Sequence, residues 1–244
     1  MTIDCDFHVC EQKTAGVTVE EREGKREVIV GHAAVFFNEN DPGTEYQLGR
    51  FMRERIAIGA FDGAMKRPDD VRALRDHDSS LLLGRTTNGT LKLSVDGRGL
   101  AFEIEPDSTT VGVDTRKMIK RGDLTGASFG FVIEKESFED DGDDIIRTVE
   151  AVNPLVDVSP VTFPAFDAAD SGIGRRKMDH FRGRLVSFIG EHRDDDIGRR
   201  LETRAAKFGI VIPKSQNPET IARTFAAARQ RQLELIEIEL KGRT

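Results

Sequence analysis

The chain has 244 residues, of which 38% are hydrophobic and 32% are charged, and its formal net charge is −7 at pH 7. This composition is typical of a soluble globular protein, and no apolar run approaches the roughly 20 residues that a membrane-spanning helix needs. Residues 1–174 hold 20 Lys and Arg against 33 Asp and Glu, whereas residues 175–244 hold 16 against 10. We predict an acidic body and a basic tail, whose charge indicates either a solvated helical surface or docking to an acidic partner or nucleic acid.

Residues 1–26 are predicted to be an N-terminal extension. They include the chain's two cysteines, Cys5 and Cys10. A disulfide between these two would close a very short loop and stabilise little, so we expect reduced thiols without a function. The acidic start of the chain differs from the basic start of a secretory signal.

The body that follows, residues 27–170, is predicted to be mostly β-strand. Residues 90–95 and 100–105 alternate apolar and polar side chains around Asp96-Gly97-Arg98-Gly99, which predicts a hairpin. The predicted strands are 27–36, 71–74, 90–95, 100–105, 127–134, 145–149 and 155–163. The acidic insert at residues 139–144 lacks the spacing of an EF-hand loop, and we interpret it as a solvated hairpin tip.

Two short helices are predicted within the body, at residues 59–66 and 114–122. Asp114 would cap the second helix and Gly122 would end it. Many short strands with few helices predict an α+β fold, a mostly antiparallel β-barrel wrapped by helices.

Residues 171–244 are predicted to be a helical tail. Apolar residues recur at helical spacing in residues 177–189 and 196–208, and Asn217-Pro218 is a helix start that leads into a rough apolar stripe up to Leu240. This stripe would pack onto the body or associate with a second copy as a coiled coil.

One serine and one histidine are candidates for chemistry. Ser128 lies in Gly-Ala-Ser-Phe-Gly-Phe, where small residues lead into an aromatic strand, and His77 stands between Asp76 and Asp78. Serine is a weak nucleophile unless a base takes its proton, and histidine is the usual base. The chain is a serine hydrolase if the fold brings Ser128 and His77 within hydrogen-bond reach. Taken singly, each residue has an ordinary structural explanation.

Seven short motifs follow one another along the body, at residues 31–36, 58–61, 75–78, 83–86, 99–100, 126–131 and 157–165. In their order and spacing they resemble those of the prohead maturation proteases of tailed bacteriophages. This serine peptidase family is related in fold to the herpesvirus assembly proteases. The resemblance covers roughly residues 28–167, and it implies a β-barrel wrapped by helices with a Ser/His pair.

The resemblance implies a role for each matched residue. Ser128 would be the nucleophile, His77 the general base, and Asp157, before Val-Ser-Pro-Val, the group that orients the base. The herpesvirus relatives use a second histidine in that third role, but this chain has none near residue 157. Asp76 and Asp78 are the local alternatives. Arg85 is a further matched residue. It would either help to stabilise the oxyanion or form a surface ion pair.

The function implied is a serine endopeptidase that cleaves the major capsid protein's scaffolding segment, and also itself near its tail. It would act without metal or cofactor, in the bacterial cytoplasm inside the prohead. We expect the enzyme to self-associate, and we expect neither a membrane nor a nucleic acid as a partner. The alternative is a capsid-assembly scaffold that is non-catalytic or has both roles. Another is an α/β-hydrolase, which requires a helix after Gly-x-Ser-x-Gly. Ser94 and Ser159 are rival nucleophiles, and His32 is interpreted as structural.

Overall fold

The computed structural model describes residues 7–49, 51–66, 70–162 and 172–213. In these ranges the chain forms the mixed α+β fold that the sequence predicts, with ten strands and four α-helices. The strands are β1 (Phe7–Arg22), β2 (Arg26–Val35), β3 (Glu45–Gly49), β4 (Met52–Ile56), β5 (Arg72–Arg75), β6 (Asp78–Arg85), β7 (Leu91–Val95), β8 (Gly99–Ile104), β9 (Gly126–Asp140) and β10 (Ile145–Val161). The helices are α1 (Asp62–Lys66), α2 (Thr110–Arg121), α3 (Gly172–Glu191) and α4 (Asp196–Lys207).

The ten strands form one sheet in the order β3-β4-β10-β9-β1-β2-β8-β7, from which the β5–β6 hairpin branches at β10. The predicted mostly antiparallel character is confirmed, and β10 pairs in parallel with β5. The predicted closed barrel is wrong, because no pairing among the described residues joins the end strands β3 and β7. Closure requires the end strands to pair in a register consistent with the whole sheet, which a series of short strands does not ensure.

Strand β1 lies in the middle of the sheet, although the sequence analysis assigned its residues to an extension. It pairs antiparallel with β2 and with β9. The close approach of β1 and β2 requires glycine at position 31, because a Cβ there would lie 2.1 Å from a carbonyl oxygen of β1, that of Gly16. The predicted division at residue 26 stays a prediction, as does the division at residue 170.

The described residues divide into two compact units. The first contains those up to Ser137 together with Ile146–Met178, and the second contains Phe138–Ile145 together with those from Asp179 onward. The first unit holds the predicted catalytic residues. Within its core the rings of Phe61 and Phe129 meet edge to face at 5.4 Å between centroids, and Phe129 stacks on Phe131 at 4.4 Å.

A buried ion pair also lies in the first unit. The guanidinium of Arg147 on β10 donates from Nε to Oε2 of Glu54 on β4 at 2.6 Å, and neither side chain is exposed to solvent. Charges removed from water are expensive unless they are paired and hydrogen-bonded, so these two residues depend on each other.

Helix α2 begins earlier than the sequence predicts. Its N-cap is Thr109, whose hydroxyl accepts a hydrogen bond from the backbone N–H of Gly112 at 3.2 Å, so the predicted cap at Asp114 is wrong. Thr and Asp are both good caps, and Asp114 falls inside the helix. The predicted stop is confirmed, since Gly122 adopts the left-handed conformation with φ 82°.

The second unit contains most of helix α3, all of helix α4 and the acidic turn. Helices α3 and α4 agree with the predicted segments, whereas the helix predicted from Asn217 lies outside the described residues. Phe138 packs edge to face on Phe181 of α3, and Arg204 of α4 bonds Asp140 at 2.8 Å. The β9–β10 turn is closed by Oδ1 of Asp141, which accepts hydrogen bonds from the backbone N–H groups of Asp143 and Asp144.

Among the described helices none is long and apolar enough to cross a membrane. The described residues also contain no group of three or more His, Cys, Asp or Glu side chains that could hold a metal ion.

Candidate active site

Three side chains that are far apart in sequence form a hydrogen-bonded line in the first unit. The Nε2 atom of His77 lies 2.8 Å from the Oγ atom of Ser128, and its Nδ1 atom lies 2.7 Å from Oδ1 of Asp157. Both distances are in the normal hydrogen-bond range. A carboxylate accepts only, so Nδ1 carries the proton in the neutral ring and Nε2 is left to accept from the serine hydroxyl.

Ser128 is placed by strand β9. Side chains alternate along a strand, so Phe129 and Phe131 point to the aromatic core while Ser128 points to the opposite face. The neighbouring strand β1 pairs Glu11 with Ser128. Ser128 is fully buried, and Asp157 is 1% exposed. His77 is the member of the line that reaches solvent, since 15% of its side chain is exposed.

Asp157 is placed by strand β10, which lies beside β9 in the sheet. The same part of β10 pairs in parallel with β5, matching Asp157 with Arg72 and Val158 with Ala73. This register carries the end of β5, and the turn that follows it, alongside residues 159–161 of β10 and Thr162 directly after them. The three positions therefore meet because β10 borders both β9 and the β5–β6 hairpin.

His77 occupies an unusual turn. Arg75 pairs with Asp78 across the β5–β6 hairpin, so Asp76 and His77 form a two-residue loop, with φ 54° and 57°. Left-handed conformations at both loop positions favour Asn-Gly, and they cost other residues roughly 1–2 kcal/mol each. The loop therefore needs support from outside the hairpin.

Asp76 supplies part of that support through its contacts with β10. Its backbone N–H donates to the carbonyl of Pro160 at 3.0 Å, and its Oδ1 accepts from the backbone N–H of Thr162 at 2.7 Å. The hydroxyl of Thr162 donates to Oδ2 at 3.2 Å. These bonds fasten the turn that holds His77 to the strand that holds Asp157.

The comparisons with known proteins identify the family of the chain. The profile of caudovirus prohead serine proteases matches residues 15–184. The chain belongs to the caudovirus prohead serine protease family. The resemblance stated from the sequence motifs is thus confirmed, and all three residues of the hydrogen-bonded line lie within the matched range.

Among solved structures, the capsid assembly protease of bacteriophage T4 is similar to this prohead protease family member, with a TM-score of 0.41 and 12% sequence identity. The similarity covers 65% of this chain and 98% of that one. No curated protein matches the chain.

The two local alternatives to Asp157 are engaged elsewhere in this prohead protease family member. Asp76 bonds Thr162, and Oδ1 of Asp78 accepts from the backbone N–H of Ser80 at 2.8 Å and from its hydroxyl at 2.6 Å. The hydroxyl bond is the main reason that the pKa of Asp78 lies below its ordinary value. The structure therefore places the carboxylate of Asp157, rather than that of Asp76 or Asp78, on the ring of His77.

Arg85 takes part in an ion pair. Its Nε donates to Oδ1 of Asp70 at 2.6 Å, and a second bond joins Nη2 to Oδ2. The pKa of Asp70 is lowered from 3.8 to about 2. The main cause is the hydrogen bond from Arg85, and the hydrogen bond from Thr87 and the charge of Arg72 add to it. The contact corresponds to the surface ion pair that the sequence analysis weighed against an oxyanion role.

The other candidates lie apart from the hydrogen-bonded line. His32 of β2 pairs with Asp96 at 2.8 Å from Nε2 to Oδ2, next to the β7–β8 turn. Ser94 is an exposed residue of strand β7 at the end of the sheet.

Ser159 does lie in the site, but in a different position from a nucleophile. Its hydroxyl donates to Oδ1 of Asp157 at 2.7 Å and accepts from the backbone N–H of His77 at 3.3 Å. From the sequence alone, Ser159 is predicted only as a rival nucleophile. Its spacing of two residues from Asp157 on a strand, which places both on one face, is the signal that would have identified it.

Proposed function

We propose that the chain is a serine endopeptidase in which Ser128 is the nucleophile, His77 the general base and Asp157 the group that orients the base. The observation that carries the proposal is the line of two hydrogen bonds, 2.8 Å and 2.7 Å long, on either side of the His77 ring. Membership of the prohead serine protease family supports the same reaction.

In this mechanism Ser128 Oγ attacks the carbonyl carbon of the scissile peptide, and its proton passes to Nε2 of His77. The imidazolium then gives that proton to the leaving amine as the C–N bond breaks. Water repeats the sequence on the acyl-enzyme, which releases the acid and restores Ser128. Asp157 remains a carboxylate throughout and stabilises the positive charge on His77.

The burial of Ser128 sets a condition on this reaction. Its side chain has no exposed surface, whereas His77 is partly exposed. A peptide carbonyl can contact Oγ only after the residues that cover Ser128 move aside. Productive binding therefore includes a local rearrangement around Ser128.

The substrates we propose are the major capsid protein, from which the enzyme removes a scaffolding segment, and the enzyme itself near its tail. The family description supports a place inside the prohead, in the cytoplasm of the bacterial host. A self-associated enzyme would be concentrated there with its substrate.

A capsid-assembly scaffold without catalysis is the competing function. The α/β-hydrolase alternative is disfavoured by the structure around Ser128. A nucleophile elbow places the serine between a strand and a helix. Here β9 continues as a strand from Gly126 to Asp140, through and beyond Ser128.

The test is co-expression of the wild-type chain or Ser128→Ala with the major capsid protein of the same phage, followed by intact mass of both products. We expect truncation with wild type and none with Ser128→Ala. Ser94→Ala, which changes an exposed serine outside the site, is the control and should cleave normally. Equal masses with wild type and Ser128→Ala would favour the scaffold function.

A further inference from the structure

The hydroxyl of Ser159 connects two parts of the site that the hydrogen-bonded line leaves unconnected. Ser159 is fully buried, so it satisfies its hydrogen-bonding capacity within the protein. It donates to Asp157 Oδ1 and accepts from the backbone N–H of His77. One hydroxyl thus contacts both the carboxylate and the main chain of the residue whose ring that carboxylate orients.

Ser159 contacts the same carboxylate oxygen of Asp157 that accepts the hydrogen bond from the ring of His77. Oδ1 accepts from Ser159 at 2.7 Å and from Nδ1 of His77 at 2.7 Å. Two donors on one carboxylate oxygen fix the rotation of the carboxylate group, and they also share its negative charge. When one donor is removed, more of the negative charge of the Asp157 carboxylate is left to stabilise the imidazolium of His77.

The contact with His77 falls on the backbone of a strained turn. His77 has φ 57°, a conformation that a β-hairpin accepts readily only from residues such as Gly or Asn. The bond from its N–H to Ser159 holds this residue against β10, and thereby holds the ring between Ser128 and Asp157.

We propose that Ser159 is a positioning residue for the catalytic reaction, acting through Asp157 and the main chain of His77. This inference rests on the proposed function. It predicts that Ser159 affects the rate and pH dependence of Ser128 reactivity without contacting the substrate.

The probe for this role is diisopropyl fluorophosphate, which needs no knowledge of the cleavage site. Ser128 Oγ forms a bond to phosphorus, fluoride leaves, and the serine proton passes to His77. The second-order rate of this labelling is measured by mass from pH 5 to pH 9 for wild type, Ser159→Ala, Ser159→Thr and the control Ser94→Ala. Thermal unfolding of each variant reports on the fold.

We expect Ser159→Ala to lower the plateau rate roughly ten- to a hundredfold, as loss of hydrogen bonds to a charged group does. We also expect the acid limb of the pH–rate profile of Ser159→Ala to move to higher pH. The reason is that an Asp157 carboxylate with one hydrogen-bond donor fewer favours the protonated ring of His77. Among the described residues, Asp76 and Asp78 beside His77 and Arg75 on β5 also carry charge, and all variants retain them. Ser159→Thr, which keeps the hydroxyl, should retain the wild-type acid limb.

The results separate the two levels of the proposal. Labelling that persists in Ser128→Ala, or is absent from wild type, overturns the proposed function. Labelling of wild type and Ser159→Ala with equal rates and equal acid limbs overturns the role of Ser159 alone. If Ser159→Ala does not fold, Ser159→Cys, whose thiol is a weak donor of similar size, replaces it under the same criteria.

Discussion

Replacement of Asp157 by asparagine separates the charge of this residue from its hydrogen bonds. Oδ1 faces two donors, the hydroxyl of Ser159 and Nδ1 of His77. The amide introduced by Asp157→Asn has one carbonyl oxygen, and when that oxygen occupies the Oδ1 position it accepts from both donors. The orientation of His77 and its proton on Nδ1 are then preserved.

What Asp157→Asn removes is the attraction between a carboxylate and the imidazolium formed during the reaction. At a charge separation of about 4 Å and an effective dielectric constant of about 20, this attraction is about 4 kcal/mol. We therefore expect the rate of peptide cleavage to fall about a thousandfold. Asp157→Ala removes the acceptor as well as the charge, so its loss should be larger.

The assay is the rate of capsid-protein cleavage, or of Ser128 labelling by diisopropyl fluorophosphate, at a pH where the wild type reaches its plateau. Asp78→Asn is the matched control, because this neighbouring carboxylate bonds Ser80 and not His77. The control should stay within about twofold of wild type, since surface charge changes have small effects. Asp157→Asn within tenfold of wild type, or slower than Asp157→Ala, would refute the role assigned to the charge.

Three further predictions concern stability. Glu54→Gln should lower the free energy of unfolding in urea by about 3 kcal/mol, because the buried charge of Arg147 is left with the more distant carboxylate of Glu136, whose Oε2 lies 3.8 Å from Nη1; a loss under 1 kcal/mol would contradict this. The pKa of Asp70 is lowered to about 2 by Arg85, so the stability it contributes is present above pH 3.8 and is lost as pH falls through about 2. Asp70→Asn should therefore flatten the acid side of the melting-temperature profile, and an unchanged slope would count against the ion pair. Gly31→Ala should destabilise the fold, seen as a lower melting temperature, because its Cβ would lie 2.1 Å from a β1 carbonyl oxygen; an unchanged melting temperature would show that the strands separate easily.

The local patterns of the sequence predicted many elements but not their long-range arrangement. Alternation at residues 90–95 and 100–105 gave strands β7 and β8, and helical spacing gave α4. Strand β1 was missed because most of its residues are polar or charged, and its stability comes from pairing on both sides. Pairing partners and register depend on contacts between distant residues, which a local pattern does not contain. The open sheet was mispredicted as a barrel for the same reason.

The site was predictable in its residues but not in its supports. Ser128 and His77 stood out as a possible nucleophile and base, whereas Asp157 was indicated only by the resemblance to the family. The left-handed turn at His77 had no sequence signal, since Asp-His is not a typical pair for a two-residue hairpin loop. Ser159 was visible as part of Val-Ser-Pro-Val, but its role depends on the bond to His77, which is 82 residues away.

The structure explains why the motif at residues 75–78 accompanies the motif at residues 157–165. The parallel pairing of β5 with β10 brings the His77 turn beside the end of β10, and Asp76 then bonds Thr162. Strained backbone persists only where the surrounding structure holds it in place, and here the holding groups lie on the strand of Asp157 or directly after it. The two motifs therefore form one unit, which presents the base, its carboxylate and the support of the turn to the serine on the neighbouring strand.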